Sequence, residues 1–196
     1  EDQVRQVMAR IPRSKGPFGF RIFTSGSFFD ERELTFESRE HLLGELSALE
    51  GLAEFTVESR PEHVDKEAVS MLQDRLPNAE VEVAIGLESS SDRVRGECIG
   101  KGFTFRQFQR ACRCIRSEGA RSKAYVLLKP PFLNEFDACY DAVRTIKDVS
   151  GSVDSVSVNA CNVQKGTLVE ELFRAGSYRP SWIWTVMEVL REAKQV

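Results

Sequence analysis

Five short polar clusters in this chain carry the residue types of a binding site, and each follows an apolar run. Ser25-Gly26-Ser27 offers backbone N–H groups and hydroxyls to a carboxylate or an amine, with Gly26 allowing close approach to the backbone. An ordinary strand-to-loop turn accounts for the same three residues equally well. Glu58 and Glu88 stand at equivalent places after the second and third runs. Two carboxylates facing one cavity can bind an ammonium group or ribose hydroxyls, or share a proton. Pairing of Glu58 with Arg60 or Lys129 is the plainer alternative. Lys129 closes a fully apolar run, which aims its ammonium at the end of a strand. A lysine so placed can act as a base or Schiff-base former, although an ion pair is its commoner fate. Asn159 and Asn162 follow the fifth run.

The cysteines encode no metal site. Cys112 and Cys114 are two apart on a helix and face different directions. With Cys98, Cys139 and Cys161 they match no zinc or ferredoxin spacing, and His41 and His63 stand outside any metal motif. Five cysteines at irregular spacing suit reduced intracellular thiols rather than a disulfide framework. Net charge is −3, which excludes an overall polycation built to coat nucleic acid. That charge is unevenly spread: from Arg93 to Lys123 the balance is +7, leaving −10 elsewhere. Arg106, Arg110, Arg113 and Arg116 fall at steps of four, three and three, along one helix face. Such a stripe can track a phosphate backbone, or can be a solvated outer face. Trp182 and Trp184 flank an Ile183, Val186, Met187, Leu190 stripe that predicts a core-facing helix, with a Trp left for a partner or for stacking a base.

Regular elements must position these groups. Apolar runs at Phe20–Thr24, Ala53–Val57, Val81–Ile85, Ala124–Leu128 and Val153–Val158 read as strands covered on both faces. Amphipathic helices are expected at Ser38–Leu49, Lys66–Leu76, Phe105–Ser117, Glu135–Val149, Leu168–Ala175 and Ser181–Ala193. Thr104 and Asn134 are predicted N-caps, and Gly51, Pro77, Gly119 and Gly151 predicted stops. Strict alternation of strand and helix gives an α/β fold with a parallel sheet and right-handed crossovers. Parallel sheets carry their chemistry at the carboxyl ends of the strands, so the five polar clusters predict one converging site. At 196 residues and 22.1 kDa, residues 1–196 are expected to form one domain with a real core. No run approaches the roughly 18 apolar residues of a membrane span and no signal peptide opens the chain, which points to a cytoplasmic protein. Opening at Glu1 in mid-helix sequence, the chain is expected to be a fragment.

The segments FTSGSFFDERE, VESRPE, AIGLESSSDRVR, IGKGFTF, LLKPPF and SVNACNVQKGT, in that order, resemble the radical S-adenosylmethionine superfamily. Within it they are most similar to radical subunits of archaeosine synthases, which act on tRNA. The resemblance runs from Phe20 to the C-terminal SYRPSWIWTVMEVLRE. It implies a partial (βα) TIM-like barrel whose first strand is followed by a CxxxCxxC loop holding a [4Fe–4S] cluster. This sequence has no CxxxCxxC. The resemblance therefore implies that the first βα unit, with the cluster loop, lies upstream of Glu1, and that the fragment alone is inactive. The sheet edge so left open predicts pairing with another chain.

Carried over by position, Ser25, Gly26 and Ser27 match the segment contacting the methionine amino group. Glu58 matches an acidic position facing the adenosylmethionine, and Glu88 a Gln or Glu beside the ribose. Lys129 falls near adenosine, and Asn159 and Asn162 near adenine or substrate. The implied reaction is hydrogen abstraction from a lysine-modified deazaguanine in the tRNA D-loop, then a lyase step that forms archaeosine with a partner synthase subunit. Methylthiotransferase-like or elongator-like chemistry on the same barrel, or a cluster-less module that only binds RNA or a partner, are the alternatives.

Overall fold

In the computed structural model, residues 6–8, 16–23 and 26–195 are described. Five strands, β1 (Phe18–Ile22), β2 (Leu52–Ser59), β3 (Glu80–Glu88), β4 (Arg121–Leu128) and β5 (Ser155–Ala160), form one sheet in the order β1-β2-β3-β4-β5. They run parallel, with Phe20 opposite Phe55 and Phe55 opposite Val81. Sequential order without a reversal is the topology of a partial (βα) barrel, not of a doubly wound sheet with a switch point. The expected fold class is the observed one.

Helices α1 (Phe36–Ser47), α2 (Lys66–Arg75), α4 (Phe105–Ser117), α5 (Glu135–Val149), α6 (Leu168–Arg174) and α7 (Ile183–Ala193) match the six expected to within a turn. Two segments among the described elements lie outside the expected set: a 3-10 turn at Pro61–His63, and α3 (Asp92–Val94), which continues as a π-helical turn over Arg95–Ile99. Both predicted N-caps form. Thr104 Oγ1 accepts from Gln107 N–H at 3.3 Å while Gln107 Oε1 accepts from Thr104 N–H at 2.7 Å, a reciprocal capping box. Asn134 accepts from Asp137 N–H at 2.9 Å. Gly51 and Gly119 take the left-handed conformation expected of helix stops, at φ 87° and 78°. Gly151 does not: α5 ends at Ser150, which stays right-handed and bonds back to Ile146 O.

The described residues up to Ile85, with Arg110–Lys123, form one compact unit; Gly86–Gln109 and the described residues from Ala124 form a second. In the first unit, Leu43, Leu46, Phe55, Val57, Leu72 and Ile115 are fully buried. Phe28 meets Phe55 edge-on at 6.2 Å, which seats the loop after β1 on the core. The second unit is centred on Val126, Leu128, Ala138, Ala142, Ile146 and Val189.

The apolar stripe of α7 departs from expectation. Its Val189 packs into the core, yet Ile183, Trp184, Met187 and Leu190 face outward, Trp184 at 76% exposure. The inward face is offset from the predicted stripe: Val186, Val189 and Ala193 pack on the core cluster, and beside them Thr185 Oγ1 donates to Glu135 of α5 at 2.5 Å.

Candidate functional site

In the first unit the loop after β1 closes on the end of β2. Phe28 N–H donates to Glu58 O at 2.8 Å. Ser27 is buried, its Oγ 2.8 Å from Ser59 Oγ and accepting from Arg60 N–H at 3.3 Å. The Ser27 N–H donates to Glu33 Oε2 at 2.9 Å. A Cβ on Gly26 would collide with that carboxylate, so glycine is what lets Glu33 fold over the loop. Glu33 is thus a carboxylate of this strand end that spacing alone does not single out. Glu58 is half-buried at the end of β2. Ser25 lies outside the described residues.

In the second unit β3 and β4 end alike. Glu88 and Lys129 both adopt left-handed backbone, at φ 67° and 60°, a conformation costing about 1–3 kcal/mol for a non-glycine residue and concentrated at functional sites. Glu88 Oε1 accepts from Lys101 Nζ at 2.7 Å, and Lys101 also donates to Gly86 O at 2.7 Å. A Cβ on Gly86 would meet Lys101 Nζ at 2.5 Å, so this glycine makes room for the pair.

Lys129 is only 4% exposed and donates to Glu135 Oε2 at 2.8 Å, with its Nζ 5.7 Å from the centroid of the Tyr178 ring. Glu135 also accepts from Trp182 N–H at 2.8 Å and pairs with Arg179 at 3.1 Å. Burial pushes the Glu135 carboxyl up, but the hydrogen bonds from Lys129, Thr185 and the Trp182 N–H outweigh it and bring it down to about 2. Tyr178 O–H lies 3.0 Å from Lys129 O and 3.3 Å from Cys161 O, tying the loop after β5 to the end of β4. Asn159 and Asn162 are exposed at the end of β5 and just beyond it.

The loop after β3 is braced from within. Arg95, fully buried, donates to Ser89 O at 2.5 Å and Phe103 O at 2.8 Å, and pairs with Asp92. Ser89 Oγ donates to Asp141 at 2.9 Å and Ser90 N–H to Thr145 Oγ1 at 2.9 Å. Along α4, Arg106, Arg110, Arg113 and Arg116 lie on the side away from the buried Phe108, Ala111, Cys112 and Ile115.

Glu33 and Glu58 in the first unit suit an ammonium or a hydroxyl, and so, by itself, does Glu88 in the second, because carboxylates form charge-assisted hydrogen bonds with both; these are groups of the kind that adenosylmethionine carries. An iron–sulfur cluster finds no donor set: among the described residues no group of three His, Cys, Asp or Glu side chains is placed to hold a metal ion. The thiols of Cys98, Cys114 and Cys139 are pushed up by burial, away from the thiolate form that binds metal.

Comparison with known proteins adds a sequence relationship to this geometry. Archaeosine synthase subunit beta of Methanosarcina acetivorans is 45% identical over 196 residues, covering 99% of this chain and 57% of that protein. The protein of the same name from Thermococcus kodakarensis is 42% identical over 192 residues, covering 98% and 59%. These are homologues of the chain. A Methanocaldococcus jannaschii protein of uncharacterised function is 35% identical over 179 residues, covering 91% and 49%. The chain therefore spans about half to three-fifths of the length of the curated relatives it matches. No protein-family model matches it.

Among solved structures, the Methanocaldococcus infernus Elp3 superposes with a TM-score of 0.62 at 17% identity, over 80% of this chain and 36% of that one. Spore photoproduct lyase with bound AdoMet gives 0.52 at 12% identity, over 80% and 44%. The radical S-adenosylmethionine methyltransferase TsrM of Kitasatospora setae gives 0.51 at 16%, over 80% and 29%. These likenesses establish a shared fold. Among the described residues no helix is long and apolar enough to cross a membrane.

Proposed function

We propose that this chain is the barrel core of a radical S-adenosylmethionine subunit of an archaeosine synthase, acting on a lysine-modified deazaguanine in tRNA. The observation that carries the reading is 45% identity along 99% of the chain to a protein named archaeosine synthase subunit beta. The carboxylates at the strand ends support it. In this reading Glu58 receives the ammonium of adenosylmethionine and Glu88 its ribose hydroxyls, while Gly26 and Ser27 shape the loop against which the amino-acid end rests. Lys129, Asn159 and Asn162 border the adenosine or the substrate, and the arginines of α4 take tRNA phosphates.

When bound beside a reduced cluster, adenosylmethionine supplies hydrogen abstraction by a carbon radical. This chain's residues orient the cation and its hydroxyls and hold the loops that enclose them. The cluster ligands belong to sequence beyond the described residues, and a second synthase subunit and the cytoplasm complete the proposal. Its test is anaerobic cluster reconstitution of the full-length protein, followed by dithionite-dependent formation of 5′-deoxyadenosine with tRNA bearing the lysine adduct. Product and loss of the adduct are expected. An enzyme that takes up iron and sulfide yet forms no 5′-deoxyadenosine overturns the reading.

A further inference from the structure

The loops after β3 and β4 enclose a cleft in the second unit that the residues assigned above leave unused. It holds about 450 Å³, inside the range of roughly 300–1,000 Å³ typical of small-molecule sites. Arg93, Glu97 and Cys98 line one side, Phe132 and Asp137 the other. Both sides are built from backbone that proteins seldom use without a function. The first is the π-helical turn Arg95–Ile99. On the second, Phe132 sits at φ 71° with its side chain 63% exposed, immediately after the buried Pro130 and Pro131. A large aromatic residue held in left-handed backbone gains nothing from burial here. The wall opposite it is fixed by the buried Arg95 and by the bonds from Ser89 and Ser90 to α5. An exposed aromatic ring thus lines a cleft whose other side is braced, which leaves the ring available for stacking.

We propose that this cleft is a nucleobase subsite, in which a purine of the RNA stacks on the Phe132 ring. Its N–H donors then meet the carboxylates of Asp137 and Glu97, and Arg93, paired with Glu97 at 3.0 Å, stands at the rim toward the phosphate. The flat ring selects a planar ligand, and the carboxylates select one that donates hydrogen bonds. The proposal rests on the tRNA reading, but its test needs no turnover.

The probe is 2-aminopurine riboside, whose fluorescence is quenched on stacking, titrated into the full-length protein. Saturable quenching is expected, competed by guanosine and not by ribose 5-phosphate. Phe132→Ala is expected to weaken binding by about tenfold, within the range for removal of one stacked base, while Phe132→Tyr stays within about twofold. Phe132→Gly, which relieves the left-handed backbone, separates removal of the ring from misfolding and is expected to match the alanine variant. Absence of saturable quenching in the wild type, or wild-type affinity in a folded glycine variant, overturns the subsite. Quenching by a protein that forms no 5′-deoxyadenosine keeps the subsite and overturns only the enzymatic reading.

Discussion

Replacing Glu135 by Gln isolates the ion pair that locks the end of β4 to the C-terminal segment. Glu135 accepts from Lys129, Trp182 N–H and Thr185 and pairs with Arg179, and its carboxyl lies at about 2 against an ordinary 4.5. That lowering corresponds to about 3 kcal/mol of folding stability at neutral pH, at about 1.4 kcal/mol for each tenfold change in proton affinity. A second route gives a similar figure: stripping the counter-ion from a lysine that is 4% exposed costs about 3–5 kcal/mol. The glutamine variant should therefore lose about 3 kcal/mol at pH 7, lowering Tm by about 6–12 °C for a chain of this size. The sign of the pH dependence follows from the depressed value. Stability from Glu135 is complete above the unfolded-state value near 4.5 and is lost as pH falls toward 2. Urea unfolding followed by circular dichroism at pH 7, 4 and 3 should show the gap between wild type and variant narrowing to about 1 kcal/mol near pH 3. Adding Lys129→Met to the glutamine variant should recover part of the loss by removing the orphaned charge. A gap below about 1 kcal/mol at pH 7, or one that does not narrow in acid, refutes the reasoning.

Glu58→Ala and Glu88→Ala in the full-length protein should each weaken adenosylmethionine binding by calorimetry without changing Tm beyond a few degrees; unchanged affinity in both removes them from the site. Arg106→Glu, Arg110→Glu and Arg113→Glu together should weaken tRNA binding. They should also flatten its dependence on salt by about 0.9 logarithmic units for each duplex phosphate left unneutralised. An unchanged slope makes α4 a solvated surface. Asp141 tests the opposite sign to Glu135: burial pushes its carboxyl up, and its Oδ2 is buried without a hydrogen-bond partner. Stability from Asp141 should rise as pH falls from neutral through its elevated value, and Asp141→Asn should abolish that rise in urea titrations between pH 7 and 4.

The strands and helices are legible in the sequence because each apolar run is short and bounded by turn residues, and because the caps at Thr104 and Asn134 depend on neighbours three residues away. The strand-end positions of Glu58, Glu88 and Lys129 follow from the same punctuation. What the residues do there is not legible. Lys101 reaches Glu88 from thirteen residues away through a π-helical turn that no periodicity announces, and Glu33 covers Ser27 only because Gly26 leaves the space. The outward face of α7 escapes the sequence for a related reason. Hydrophobic spacing identifies an apolar face, but the helix has apolar residues on more than one side, and the side that turns inward carries Val186, Val189 and Ala193 together with the Thr185 contact to Glu135.

Glu88 and Lys129 end neighbouring strands in the same left-handed backbone, yet their surroundings divide their roles. Lys129 is enclosed by Glu135 and the Tyr178 ring, and separating that buried pair costs several kcal/mol, about 3–5 by general experience. No ligand gains from breaking it. Glu88 is held by Lys101, whose side chain keeps 28% of its exposure and hangs on a flexible four-carbon stem. In the proposed reading a ligand cation or hydroxyl takes the place of that ammonium, which is less enclosed than that of Lys129. In the proposed reading Lys101 orients the carboxylate until a ligand replaces it. On that reading the left-handed backbone at Glu88 serves a replaceable contact, and that at Lys129 a permanent one.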